Sequence, residues 1–296
     1  MTRPFPEFLG FRLPALDGSF WRRMARFGAR GPTWFSRFSP PLIGVAICAF
    51  SPRQRRVMRE NLRRVRGPRS RLHDTADVAR IFATYASCLS EALGGATAGG
   101  KLPEAAIDGD EHVRSALGER RGAIFATAHT AGWEVVGPVL RKRRGLPVMI
   151  AAAAERDAAA RSIQDQARRD QGLEVAHVGD DPFAGLALMR HLREGGIVAM
   201  QIDRVPPGQR AREVRLFGES ERIPEGPLRL AALTGAPVVP VFTAREGYRR
   251  YRVVASPPIR LQRSAGAAEI DAAAQQIADA LGGFVRAHPT QWFHFR

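Results

Sequence analysis

The chain contains only two cysteines, Cys48 and Cys88, in 296 residues. Two thiols cannot build a disulfide framework, and their surroundings show no metal-ligand spacing. Both sit among apolar residues, so burial as small hydrophobes is the expectation, and a reducing compartment fits. Long apolar runs are missing as well. No segment reaches the ~18 consecutive apolar residues of a membrane-spanning helix, and PPLIGVAICAF at 40–50 falls short. The opening MTRPFPEF has no apolar core behind a basic start, so no signal peptide is expected there. Acids are few: 29, against 45 Lys+Arg, which leaves a net charge of +16. A balance that basic implies an anionic partner, whether nucleic acid, anionic lipid or an acidic protein. Only three tyrosines leave little stacking surface apart from Phe, and no nucleic-acid recognition motif is present, so no nucleic acid is expected.

What remains is a globular composition, 45% hydrophobic, sufficient for one large domain or two small ones. Nearly all the positive charge is Arg. Five Arg lie among Phe, Trp and Met at 20–38 (FWRRMARFGARGPTWFSRF), and nine lie in 53–71, with Met58, Leu62 and Val65 at helical spacing. Basic amphipathic stretches of this kind suit an anionic membrane surface; the alternative is a solvated helix face held by its few apolar residues. Residues 76–93 place Val78, Ile81, Phe82, Tyr85, Cys88 and Leu89 on one stripe, a helix packed on the core. GGATAGG at 94–100 reads as a linker. Residues 1–100 therefore read as a basic N-terminal helical region packed on a core domain, 101–296.

In that core, apolar runs read as strands at 123–128, 147–154, 173–178, 197–202, 238–244 and 251–255. Helical patterns lie between several of them, at 131–144, 157–171, 183–194 and 225–234, and a last helix spans 267–287. The alternation predicts an α/β fold with a mixed, mainly parallel central sheet flanked by helices, and the pair around 238–255 predicts an antiparallel hairpin.

The stretch IFATAHTAGWEVVG (124–137) carries the sharpest chemical signal. His129 follows a strand and precedes a helix pattern, where α/β proteins build sites. Glu134 is five residues on. If His129 lies in the turn and Glu134 in the first helical turn, with Gly132 supplying the bend, the carboxylate can orient the imidazole as a general base for a hydroxyl. A histidine near an acid is also common without any catalytic role. No second His, Cys or Asp completes a metal shell, so no metal is expected.

HTAGWE is similar to the H-x-G-N-W-E motif of the bacterial lipid A late acyltransferases, the lauroyl and myristoyl transferases of the H-x4-D/E glycerolipid acyltransferase superfamily. Further stretches resemble that family in order: Asn61-Leu62 in RENLRRV, GERRGAIFATAH, HLREGGIVAMQIDR, and QWFHFR at the end. LFGESERIPEGPLRLAALTGAPVVPVFTAR is the most specific match, and the resemblance runs over roughly 45–296. Two departures stand out. Ala131-Gly132 replaces the family's Gly-Asn after the histidine, and the N-terminal membrane helix of the lipid A enzymes is missing. Relatives acting on mannosylated phosphatidylinositol share the catalytic pattern.

The resemblance implies a glycerolipid-acyltransferase-like fold and an O-acyltransferase. It would move a fatty acyl chain from acyl carrier protein or coenzyme A to a lipid or glycolipid hydroxyl, without a cofactor or an acyl-enzyme. His129 would be the base and Glu134 its orienting acid; backbone N–H groups at the following helix start, or an Arg, would hold the oxyanion. The expected location is the cytoplasmic side of the bacterial inner membrane, as a peripheral protein. Substrate-binding candidates follow. Asp203 and Arg204 read as a site-facing pair or a solvated pair at a strand end. Glu225 and Gly226 resemble the acceptor-binding "PEG" element of glycerophosphate acyltransferases, or mark a helix start. Arg156 and Arg245 could hold phosphates by bidentate contacts.

Overall fold

A computed structural model describes residues 23, 25, 31–95, 103–153, 158–179 and 183–295. Three helices come first: α1 (Thr33–Ala49), α2 (Pro52–Arg66) and α3 (Arg71–Gly95). There follow β1 (Glu104–Asp108), α4 (Asp110–Gly118), β2 (Ala123–Thr127), a 3₁₀ turn (Trp133–Val135), α5 (Val136–Arg144), β3 (Val148–Ala153), α6 (Ala158–Asp170) and β4 (Glu174–Val178). The remainder is α7 (Ala184–Arg193), β5 (Ile197–Gln201), β6 (Ala211–Leu216), β7 (Glu219–Pro224), α8 (Gly226–Thr234), β8 (Val238–Gly247), β9 (Arg250–Ala255), α9 (Ala267–Ala287) and a final 3₁₀ turn (Pro289–Gln291).

Seven strands form one sheet in the order β1-β9-β8-β2-β5-β3-β4. All neighbours are parallel except β8 and β9, the hairpin expected from the sequence. The fold is thus the expected α/β one, a mostly parallel sheet flanked by helices with an N-terminal helical region. β2 lies at the centre of the sheet, and all five of its residues are buried. Its alternate residues feed two cores. Ile124 and Ala126 pack among α7, α8 and α9, whereas Ala123 and Phe125 pack towards α3 and α5. A strand covered on both faces has no need of polar residues, which explains the unbroken run AIFAT.

The sequence reading missed four elements. β1 and α4 are short. The β6–β7 hairpin (AREVRL, ESERIP) is so charged that no apolar run marks it, and only Val214, Leu216, Ile223 and Pro224 are buried. Helix α3 runs to Gly95, into the expected linker, and residues 96–100 lie outside the described residues.

α2 buries Met58, Asn61, Leu62 and Val65, the stripe read from the sequence. Arg63 and Arg66 reach the fully buried Asp74 of α3, and Arg64 reaches Glu219 and Glu221 of β7. Part of the Arg-rich segment therefore ties this region to the body. α1 has inverted amphipathicity. It buries only Pro40, Gly44 and Cys48, at i, i+4 and i+8, while Trp34, Phe38, Leu42, Ile43, Val45 and Phe50 are exposed. No helix among the described residues is long and apolar enough to cross a membrane.

Candidate functional site

Thr127 ends β2 and pairs with Gln201, which ends the neighbouring β5. Two residues beyond each paired end stand His129 and Asp203. The register therefore puts an imidazole beside a carboxylate that lies 74 residues away in the chain. The ring Nδ1 lies 2.8 Å from Asp203 Oδ1, and the His129 backbone N–H donates to Asp203 Oδ2 at 3.1 Å. The Trp292 indole N–H donates to the same Oδ2 at 3.0 Å. Asp203 is fully buried, and His129 keeps 22% of its side chain exposed. Burial pushes the Asp203 carboxyl up, but the charge and hydrogen bond of His129, helped by His294 and Arg204, outweigh it and hold the group well below the usual carboxylate range. An ionised acceptor on Nδ1 fixes that nitrogen as the N–H, so Nε2 carries the lone pair. Nε2 has no partner among the described residues, and His129 lines a cavity of about 930 Å³.

The loop carrying His129 is clamped from below by the C-terminal tail. The Phe293 N–H donates to His129 O at 2.7 Å, the Ala131 N–H donates to Gln291 O at 2.9 Å, and Thr130 bridges Trp292. Arg204 Nη2 donates to Phe293 O at 2.6 Å, and Asn61 Nδ2 donates to His294 O at 2.7 Å. Asn61, HTAGWE, the IDR segment and QWFHFR, four motif stretches spread over 230 residues of chain, thus meet at one node. Gly132 makes the bend with φ +79°, and a Cβ there would strike the ring of the buried Tyr251. The Tyr251 hydroxyl and the Arg245 guanidinium both donate to Glu91, which is itself buried.

Glu134 does lie in the first turn after this bend, but it does not orient His129. Its Oε1 accepts from Gln164 Nε2 at 2.7 Å and from Arg168 Nη2 at 3.2 Å, both on α6. The orienting acid is Asp203. The left-handed Gly132 and the 3₁₀ turn direct Glu134 across to α6, whereas the sheet register delivers Asp203 directly. Arg168 also stands over the Trp133 ring and 3.7 Å from Asp165, which in turn holds His177 Nε2 at 2.8 Å. Glu134, Gln164, Asp165, Arg168 and His177 all line the cavity. Gln164, Asp165 and Arg168 carried no signal in the sequence, because a polar face on a helical pattern reads as solvent exposure, and His177 was passed over as one residue of the β4 strand run.

The other expected site residues divide. Arg204 lines the cavity beside His129. Glu225 and Gly226 do not line it. Glu225 is 3% exposed and spends its carboxylate on Arg212 (2.9 Å) and Arg229, so it serves the start of α8 rather than an acceptor. Burial raises its carboxyl, and the hydrogen bonds from those two arginines prevail and lower it. Arg245 is paired with Glu91 at 2.7 Å and is not among the residues that line the cavity. Arg156 lies outside the described residues. No group of three or more metal-ligating side chains occurs among the described residues.

Beside the cavity lies a second, mostly apolar slot of about 40 Å³, between β2, β5, β3 and α5. Six residues line both spaces: Trp133, Glu134, Ala151, Ala152, Arg168 and Gln201.

The fold and the site define an α/β protein with an imidazole held by a carboxylate at the carboxyl ends of its central strands, facing a large cavity with an apolar slot beside it. The chain belongs to the bacterial lipid A biosynthesis acyltransferase family, whose model matches residues 26–296. Among curated proteins it is similar to the phosphatidylinositol mannoside acyltransferase of Mycobacterium tuberculosis (strain CDC 1551 / Oshkosh), 29% identical over 189 residues, 63% of this chain and 57% of that protein. It is also similar to the phosphatidylinositol mannoside acyltransferase of Mycolicibacterium smegmatis, 31% identical over 189 residues, 62% of this chain and 58% of that protein. The matched stretch therefore spans less than two thirds of these relatives' length.

Proposed function

We propose that the protein is a membrane-peripheral O-acyltransferase, moving a fatty acyl chain from a thioester of acyl carrier protein or coenzyme A to a hydroxyl of a lipid or glycolipid. The observation that carries this reading is the His129–Asp203 pair at the mouth of the cavity. His129 Nε2 takes the proton of the acceptor hydroxyl, and the alkoxide oxygen attacks the thioester carbonyl carbon. The carbonyl electron pair moves to oxygen, returns, and expels the thiolate, which collects the proton from the imidazolium. An ester and a free thiol result. No nucleophilic side chain is needed, so transfer is direct. The apolar slot seats the first carbons of the acyl chain, and the polar wall of Gln164, Asp165 and His177 suits a hydroxyl-rich acceptor. The names of the relatives favour a mannosylated lipid as that acceptor.

The membrane part of the reading rests on α1. A helix that buries its small residues and exposes Trp34, Phe38, Leu42, Ile43 and Phe50 presents an apolar face suited to the acyl boundary of a bilayer. Arg53, Arg56 and Arg59, just beyond that face on α2, have no carboxylate partner among the described residues and complement an anionic headgroup layer. Arg53 also lines the cavity. Such a surface suits the cytoplasmic leaflet of an inner membrane.

Radiolabelled palmitoyl-coenzyme A with a mannoside lipid tests the chemistry. Wild type yields labelled ester and His129→Ala does not; His129→Ala turning over at the wild-type rate refutes the base. Sedimentation with phosphatidylglycerol vesicles tests the surface. Substituting Phe38, Leu42 and Phe50 with Ser should weaken binding about tenfold or more, since each buried apolar side chain contributes of order 1 kcal/mol or above. Unchanged binding by that variant refutes the α1 surface while leaving the chemistry untouched.

A further inference from the structure

We infer that Gln201 is a catalytic residue, the carboxamide that donates a hydrogen bond to the oxyanion of the tetrahedral intermediate. The inference rests on the acyltransferase reading above. Three observations carry it.

The first is position. Gln201 ends β5 opposite Thr127, two residues before Asp203, as Thr127 is two residues before His129. Side chains two apart on a strand share a face and are separated by about 6–7 Å along it. Gln201 therefore stands on the face that carries the His129–Asp203 pair, one step nearer the sheet interior. It is also one of the six residues lining both the cavity and the apolar slot. An acyl thioester with its tail in the slot and its carbonyl carbon at His129 must pass this junction.

The second is an unsatisfied donor. The Gln201 Nε2 is buried and has no hydrogen-bond partner among the described residues. A buried amide left without a partner destabilises the fold. Such a cost is tolerated where an incoming group satisfies it. A carbonyl oxygen that gains charge during the reaction is such a group, and the donor is then already in place when the charge develops.

The third is the occupation of competing donors. The backbone N–H groups of Trp133 and Val135, at the helix start where an oxyanion hole was expected from the sequence, donate to Thr130 O and Gly132 O. The Arg168 guanidinium is held by Glu134 and by Asp165, two carboxylates that balance its charge. Its Nε is also buried without a partner, but turning it to the substrate would break those pairs. Gln201 has nothing to break.

In the step itself, the acceptor oxygen forms its bond to the carbonyl carbon as His129 Nε2 takes the hydroxyl proton. The π pair becomes the oxyanion, and Gln201 Nε2–H donates to it without losing its proton. As the pair returns, the carbon–sulfur bond breaks and the hydrogen bond weakens again. Gln201 thus favours the transition state over bound substrate, which is the signature a kinetic test can read.

The test compares wild type, Gln201→Met, Gln201→Glu and His129→Ala in thiol release from palmitoyl-coenzyme A with octyl mannoside as acceptor, together with thermal unfolding. Gln201→Met keeps the length and removes the donor. Its kcat should fall about 10²–10³-fold, with the KM for the thioester within about threefold of wild type. Its unfolding temperature should hold or rise, because an unsatisfied buried amide has gone; a merely structural glutamine would give the opposite pattern, lower stability with kcat preserved. Gln201→Glu places a negative charge against the developing oxyanion and should be at least as impaired. A Gln201→Met enzyme within about threefold of wild-type kcat overturns the assignment even if His129→Ala is dead, in which case the acyltransferase reading stands alone. No turnover by wild type with any acceptor overturns both.

Discussion

Replacing Asp203 with Asn separates the two acids that compete for the role of orienting His129. Asp203 Oδ2 accepts two N–H groups, from the His129 backbone and from Trp292, and Oδ1 faces His129 Nδ1. An Asn has one oxygen and one amino group for these three contacts. Keeping the oxygen on the two N–H donors satisfies more groups, so the amino group turns to Nδ1. Nδ1 must then accept, and the ring proton moves to Nε2, where it blocks the base. The wrong tautomer in a comparable imidazole–carboxylate pair costs about 10⁴ in kcat, so a loss of 10³–10⁴ is expected, about 4–5.5 kcal/mol of barrier. Removing the charge from a fully buried acceptor should also cost about 1–3 kcal/mol of stability. Glu134→Gln is the control. Its carboxylate contacts Gln164 and Arg168 instead of His129, and a smaller loss is expected. The assay is thiol release under saturating donor, with ¹⁵N NMR of the histidine side chains to read the tautomer. The reasoning fails if Asp203→Asn keeps a tenth or more of wild-type kcat, or if its His129 still carries the proton on Nδ1.

Other outcomes follow from the same geometry. Asp203 is held below its ordinary value of 3.8, so its stabilisation is complete above that value and is lost as pH falls through the lower folded value. The gap in urea midpoint between wild type and Asp203→Asn should therefore hold at neutral pH and narrow as pH falls below 3.8, and a constant gap would contradict this. Gly132→Ala should cost about 3 kcal/mol, measured by urea unfolding, from left-handed strain and overlap with Tyr251. Gly145→Ala, at φ +67° with open space around it, should cost only the strain, about 1–2 kcal/mol. Burial and then Glu91 push the Cys88 thiol up to about 12, and burial also raises Cys48. A thiol reagent at about pH 8 should label neither until urea unfolds the chain; rapid labelling of the native protein would contradict the buried placement.

The sheet was legible because β2, β3, β5 and β8 are apolar runs, and burial on both faces leaves no reason for alternation. The inward stripe of α2 was legible through the helical spacing of Met58, Leu62 and Val65. The β6–β7 hairpin was not, because its charged residues pair outward with Arg64, Asp271 and Gln275 of distant elements and leave no period to read. The α1 face was legible only in part, through Trp34 and Phe38 in the basic aromatic stretch 20–38. PPLIGVAICAF was read only as too short to span a membrane, and the structure shows that its small residues are the buried ones.

His129 was legible and its partner was not. Sequence distance favoured Glu134, five residues away. A bend at positive φ followed by a 3₁₀ turn carries that side chain sideways to α6, while two parallel strands in register carry Asp203, 74 residues away, to 2.8 Å. Asp203 was read in the sequence as half of a site-facing or solvated pair with Arg204, and not as the partner of His129, because strand adjacency is not a local property. The consequence for mechanism is a division of labour. With Asp203 in contact with His129, Glu134 pairs with Arg168 at the cavity wall, and we propose that the motif's second acid is part of the substrate surface. A substitution at Glu134 should then alter KM for the acceptor more than the pH dependence of kcat, whereas one at Asp203 should do the reverse. Measuring both profiles on the two variants decides between the local and the register-based assignment.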